Sequence, residues 1–360
     1  MSDRISSFAQ PLQQEYLLQA MQSQLNNVAG EVSSGQVTNP AAAMGNNAAS
    51  LYQLQSEANQ QSTLNTTATT AGNRLSAIQD ALTSISTAAQ TVSNASIGGS
   101  TTDPNTYSTI ADQAQSTMSQ VLSLLNTQYE GSSLFAGDAT NVQPMQSTTA
   151  TGGPEDTINT VLNAAVTANG GQPLTSANVS SLLTGPNGLS SVFSNTNSNP
   201  ALNYNGSFYT APDDGQPTTV PIGLSQTVQY SVQGDQPAFK DLLQGLSMLT
   251  MLSAPSTQLD STAQAAILTQ ANTLIGQAQN ELTTTQGQLG TVQTQLTQVA
   301  TAQQTASTNT TAQISSLEST NMTADSEQLS NLQTQLEASY QVTALVSQLT
   351  LSHYLPTLTS

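Results

Sequence analysis

The amino-acid sequence predicts a mainly α fold: an elongated rod of long coiled-coil helices built from the N- and C-terminal parts of the chain, with a small β-rich domain inserted between them. Three observations carry this. Two stretches far apart in the chain repeat apolar residues in strict steps of three and four, the spacing of a helix seam. Both ends of the chain carry one-sided apolar stripes at the same spacing. The middle loses that period and accumulates Gly and Pro.

From the start, Ile5, Phe8 and Leu12 open an apolar face that continues through Leu18, Met21, Leu25, Val28 and Val32. The first seam runs Leu64, Ala68, Ala71, Leu75, Ile78, Leu82, Ile85, Ala89, Val92. Ile97-Gly98-Gly99-Ser100 breaks it. Asp103-Pro104 then reads as an N-cap followed by the first helical position, opening a helix with Tyr107, Ile110, Ala114, Val121 and Leu124 on one face. These two helices are expected to form an antiparallel hairpin. The second seam runs Leu268, Ala271, Ile275, Ala278, Leu282, Thr285, Leu289, Val292, Leu296, Val299. A helix over 262–304 would be about 65 Å long.

One such seam contributes about 10 to 15 kcal/mol gross. Ordering roughly 30 backbone residues at about 1 kcal/mol or more each exceeds that. The seams therefore need each other, and Leu75, Ile78, Leu82, Ile85, Leu282, Leu289, Val292 and Leu296 are the expected rod core. At the far end the apolar face runs Leu329, Leu332, Leu336, then Ala338, Val342, Leu345, Leu349, with Tyr354 beyond it. The two terminal stripes can pair with each other and with neighbouring copies, or dock onto the central bundle. Their interface candidates are Ile5, Phe8, Leu12, Leu18, Met21, Leu25, Val28, Leu332, Leu336, Val342, Leu345, Leu349 and Tyr354.

Between about 140 and 236, period-two alternation appears at Val220, Ile222, Leu224 and at Val228-Gln229-Tyr230-Ser231-Val232, with Asp213-Asp214-Gly215 as a turn. The stretch 148–199 is polar and of low complexity, and is expected to be loosely structured. Residues 238–252 return the chain to the rod as a helix. The expected division is therefore terminal helices over 1–40 and 315–360, a helical rod over 41–140 and 237–314, and a surface-exposed insert over 141–236 that is dispensable for folding of the rod.

Composition restricts function. The chain has 360 residues with 21 acids against three bases, Arg4, Arg74 and Lys240, for a net charge of -18. Scattered bases make neither a nucleic-acid groove nor a polybasic membrane patch. Charged residues are 7% of the chain, against about a quarter in an ordinary globular protein, and Ser, Thr, Asn and Gln take their place. There is no Cys. No apolar run approaches the roughly 20 residues of a membrane span, and the start lacks an apolar signal-peptide core, so any export is expected to bypass a cleaved signal.

Chemistry is scarce. A single His, His353, excludes multi-histidine metal sites and reads as structural. Glu155-Asp156 after Gly-Gly-Pro reads as a helix start, where acids meet the positive end of the dipole. No enzyme, metal or cofactor is indicated.

Gly30-Glu31-Val32-Ser33-Ser34-Gly35-Gln36-Val37-Thr38-Asn39-Pro40, ahead of a long coiled helix, resembles a segment near the start of bacterial flagellins and hook-filament junction proteins. Residues 317–340 resemble the C-terminal helix of that family. Asn126 through Gly131, then Leu134-Phe135-Ala136-Gly137, are similar to a segment most regular in the junction proteins, as is the ending Leu349 to Leu355. Two departures stand out: Gln36 replaces a basic residue, and Ala41-Ala42 replace an acidic pair. The resemblance implies export unfolded through a type III channel, with a chaperone on the C-terminal helix beforehand. It further implies helical self-assembly in the extracellular flagellum and swimming motility. The implied partners are copies of the chain, a neighbouring hook-associated protein and flagellin. An adaptor joining hook to filament is the leading expectation, a filament flagellin the alternative, and a secreted adhesin or needle-tip protein a distant third.

Overall fold

The computed structural model describes the backbone of residues 3–40, 45, 47–98, 104–212, 219–223, 226–230 and 232–354, and the side chains of 13–40, 45, 48–97, 105–212, 219–223, 226–230 and 232–345. Long helices dominate it: α1 (Asp3–Ser34), α2 (Asn47–Gly98), α3 (Pro104–Leu125), α4 (Pro154–Ala168), α5 (Ser176–Thr184), α6 (Leu189–Phe193), α7 (Pro237–Thr250), α8 (Ser261–Glu318) and α9 (Met322–Tyr354). Strand is confined to two antiparallel pairs, β1 (Gln128–Tyr129) with β2 (Ser132–Ser133) and β3 (Thr219–Pro221) with β4 (Thr227–Gln229), plus isolated bridges. The chain divides into two compact units, Leu64–Thr301 and Met1–Thr63 with Ala302–Ser360.

In the unit Leu64–Thr301 both seams face inward. Leu75, Ile78, Leu82, Ile85, Leu282, Leu289 and Leu296 are buried, and Val292 packs half-buried against them. The two helices run antiparallel, because residues rising along α2 meet residues falling along α8. Gly72 lies against Gln293, Gln286 Nε2 donates to Thr83 Oγ1 at 3.3 Å, and Ser96 Oγ donates to Asn272 Oδ1. Asp260 caps α8: its Oδ1 accepts from the Ala263 amide and the Thr262 hydroxyl, both at 2.7 Å, which holds its carboxyl below the usual range. Tyr107, Ile110, Ala114 and Val121 of α3 are buried in the same core, and α7 packs on α3.

Residues 126–145 close this bundle. Glu130 and Gly131 sit at φ 51° and 78° and make the two-residue turn between β1 and β2. The Asn126 amide brackets the Met145 backbone with two 2.9 Å bonds, and Arg74 Nη2 donates to Ser133 O at 2.8 Å. Leu134, Phe135 and Ala136 are thereby driven into the core, where Phe135 meets Phe239 of α7 edge to face at 5.9 Å.

The insert departs from expectation in two ways. The small β part falls where alternation predicted it, around Val220 and Val228, but 148–199 holds α4, α5 and α6 rather than loose chain. Pro154 sits in the first turn of α4, Asp156 of that turn accepts from Gly152 N at 2.8 Å, and Thr175 with Asn178 forms a capping box on α5. The insert also lacks a core of its own. Phe193, Tyr204, Phe208 and Tyr209 cluster with centroids 5.0 to 6.3 Å apart. They belong to the same continuous core as the seams. Lys240 Nζ lies 5.3 Å over the Tyr204 ring, and Leu174 bonds the backbone of Gln258 and Asp260 at the start of α8.

Two outcomes follow. Excising 142–235 behind a flexible linker should abolish cooperative thermal unfolding of Leu64–Thr301, because it strips one side of a shared core; retention of a sharp transition would restore the dispensable insert. At Gly245 of α7, an added Cβ would lie 2.7 Å from Ile275 Cγ1 and 3.2 Å from Ala271 O. Gly245→Ala should therefore cost about 1 to 3 kcal/mol by overpacking, despite the roughly 1 kcal/mol Ala gains in an open helix. Chemical denaturation of the single variant and of its combination with Ile275→Val, which should recover part of the loss, checks this.

Candidate assembly surface

The unit Met1–Thr63 with Ala302–Ser360 is built by α1 lying antiparallel on α9. Gln22 Nε2 donates to Tyr340 OH at 2.6 Å, and a shallow groove is walled by Gln14, Leu17 and Leu18 on one side and Ala338, Val342 and Thr343 on the other. A clasp fixes the register at the far end of the pair. Gly35 (φ 69°) turns the chain out of α1, Gln36 bridges Ser319 in antiparallel fashion, Val37 N donates to Glu318 O at 2.9 Å, and Thr320 N donates to Gly35 O at 3.2 Å. Glu31 Oε1 accepts from Thr38 N at 3.0 Å. A Cβ on Gly30 would come within 3.4 Å of Thr38 Oγ1. The Gly30–Pro40 segment thus has a local physical role: it folds back on its own helix and receives the chain returning from α8. Gln55 Nε2 adds a 3.0 Å bond to Glu318 Oε1, and Asn321 Oδ1 caps α9 at the Ala324 amide.

The interface candidates from the sequence separate into three groups. Val28 (4% exposed) and Leu332 (7%) are buried within the chain, and Leu18, Met21, Leu25 and Leu336 are half-buried. Val28 and Leu332 are covered by the pairing of the two terminal stripes with each other, one of the arrangements expected of them. Val342 (51%) and Leu345 (59%) remain exposed. The side chains of Ile5, Phe8, Leu12, Leu349 and Tyr354, and of His353, lie outside the described residues, as do Asp103 and Asp213-Asp214-Gly215.

Sequence reasoning missed Tyr16 (77% exposed) and Leu17, which stand off the three-four stripe, Leu17 at the rim of the groove, and Tyr340, Tyr52 and Met322, also exposed. The available signal was two bulky apolar residues directly before Leu18 in a helix whose stripe was already complete. Exposed apolar residues of this size are candidates for a protein-protein contact. The described acids of this unit are Glu15, Glu31, Glu57, Glu318, Asp325, Glu327 and Glu337, with no Lys or Arg among its described side chains.

Elsewhere the described residues hold no group of three His, Cys, Asp or Glu placed for a metal ion, and no helix long and apolar enough to cross a membrane. A cleft of about 250 Å³ lies between α3, α4 and residues 250–258, floored by Met118, Ile158, Leu162 and Met251. Its one acid, Glu155, stands among amides and hydroxyls, with no His, Lys or Arg in the lining.

The electrostatic tension in the molecule is the acid pair between α7 and α8. Burial raises the Asp241 carboxyl, and burial together with the Asp241 charge raises that of Glu281, whose Oε2 is buried without a hydrogen-bond partner. A carboxyl with a folded pKa above its unfolded value stabilises the fold when protonated. That contribution is present at acid pH and is lost as the pH rises through the raised values. Asp241→Asn should therefore raise Tm at pH 7, with the gain shrinking toward pH 3, as read by calorimetry across that range; an equal gain at both ends would assign the effect to packing.

With this geometry in place, comparison with known proteins is direct. The bacterial flagellin N-terminal helical region matches residues 5–140, and the bacterial flagellin C-terminal helical region matches residues 272–355. These ranges contain α1 to α3 with the clasp, and α9 with the larger part of α8. No curated protein matches the sequence at a significant level. Among solved structures, one described as a flagellar hook-associated protein from Vibrio parahaemolyticus is similar at 12% identity and a TM-score of 0.43, over 76% of this chain and 98% of that one. The two helical regions together span more than half of the chain, and the protein belongs to the bacterial flagellin family.

Proposed function

We propose that this chain is a structural subunit of the bacterial flagellum and serves as the adaptor between hook and filament, assembling helically with copies of itself and contacting unlike neighbours at either end. The observation that carries the reading is the terminal helix pair, which closes on itself yet leaves Tyr16, Leu17, Tyr340, Val342 and Leu345 uncovered. The hairpin over 126–137 supports the adaptor over the filament protein: the residues that resemble the junction segment are those that bracket Met145 and bury Leu134 and Phe135. In this reading the neighbours are a hook-associated protein on one side and flagellin on the other, and the chain leaves the cell by type III export without a cleaved signal, its C-terminal helix held by a chaperone until then.

Val342→Asp with Leu345→Asp tests this. Both side chains are exposed in the single chain, so the purified variant should keep the helical circular dichroism and Tm of the wild type. In an assembled contact each unpaired carboxylate would cost several kcal/mol. Cells carrying the variant should keep hooks, lose swimming, and release filament subunits unpolymerised. Immunogold labelling with an antibody to the insert should give one band beside the hook; decoration along the whole filament would replace the adaptor by a filament flagellin.

A further inference from the structure

We propose that the cleft between α3, α4 and residues 250–258 is a docking site for a lysine side chain presented by a different protein. Every residue of its lining belongs to Leu64–Thr301, so it is built without α1 or α9.

The shape suits a slender apolar stem. Met118 of α3, Ile158 and Leu162 of α4 and Met251 just past α7 make a floor on which no residue is more than 6% exposed, beneath an opening of about 250 Å³. The unbranched four-carbon stem of a lysine laid on that floor leaves water while its head stays at the wet mouth, as long basic side chains do on apolar surfaces.

The mouth selects the head group. Glu155 is the one acid of the lining, and no base answers it there. Its carboxylate is not taken up by the start of α4, because that task falls to Asp156, which accepts from Gly152 N at 2.8 Å, while Glu155 stays exposed. The C-terminal end of α7 reaches the same cleft at Thr250 and Met251, and a helix dipole is negative at that end. Thr148, Asn159, Ser253 and Gln258 add hydroxyl and amide oxygens to the lining. Acceptors on separate segments of chain match the three rotatable donors of an ammonium better than the planar fork of a guanidinium.

The occupant comes from another protein because this chain has no lysine to offer. Lys240 is the only one in the sequence, and it stands over the Tyr204 ring within the fold. A net charge of -18 draws basic partners toward the molecule and repels acidic ones.

The test titrates the purified full-length protein, carrying carbon-13 at its methionine methyl groups, with a blocked tripeptide of lysine between glycines. Met118→Leu and Met251→Leu assign the two floor signals in the NMR spectrum. Both signals should shift saturably. Glu155→Gln should weaken binding about fivefold, the upper end of what a partly exposed ion pair contributes, and keep the methyl spectrum of a folded protein. Norleucine in place of lysine in the peptide should weaken it at least as much. The docking is overturned if neither signal moves, if the norleucine peptide or the Gln variant binds as well as its parent, or if an arginine peptide binds more tightly. Binding of free butylamine without binding of the peptide would make the cleft a small-amine site and would overturn it as a docking surface.

Discussion

The antiparallel match of α2 with α8 is the interaction on which the larger unit depends. A seam helix cannot hold itself: its backbone ordering cost exceeds what its own stripe returns. Set against each other, Leu75, Ile78, Leu82 and Ile85 on one helix and Leu282, Leu289 and Leu296 on the other close a common interior. The side chains at Thr83, Ser96, Gln286 and Asn272 fix the register. α3 and α7 are added to that pair, with Gly245 leaving room for Ile275 to approach, and the insert closes what remains open.

The uncharged polar composition is compatible with such long helices because the hydroxyls are satisfied locally. Along α8, Thr269, Thr273, Thr283, Thr284, Thr291, Thr294 and Thr297 each donate to the carbonyl four residues earlier, at 2.8 to 3.0 Å. These bonds do not raise helix propensity, since Thr competes with the backbone for them. They do leave a surface with little charge and few unmet donors. The helices consequently rely on tertiary burial rather than on surface ion pairs.

The smaller unit works under the opposite condition. Among its described residues, Val28, Ala48, Leu51, Leu332 and Thr310 are the ones fully buried, and none belongs to the continuous core. Its geometry is held by the Gly30–Thr38 clasp and by one helix face, while bulky apolar residues stay in water. Under the proposed function, covering those residues with another subunit would supply the rest of its stabilisation.

The sequence by itself determined the long helices, the residues of both seams and the placement of the terminal stripes, because each rests on a repeat of three and four that few other structures satisfy. It also determined the charge inventory, 21 acids against three bases. Tertiary structure decided what those repeats face. Val28 and Leu332 turn inward onto the chain's own partner helix, and Tyr16 and Leu17, just ahead of Leu18 and off the stripe, stay exposed. It also decided that 148–199 holds helices and shares the core, since α5 and α6 are short helices rich in Ser whose local preference is weak until packing fixes them. Periodicity states which side of a helix is apolar; which body covers that side depends on contacts between residues hundreds of positions apart, which no local pattern encodes.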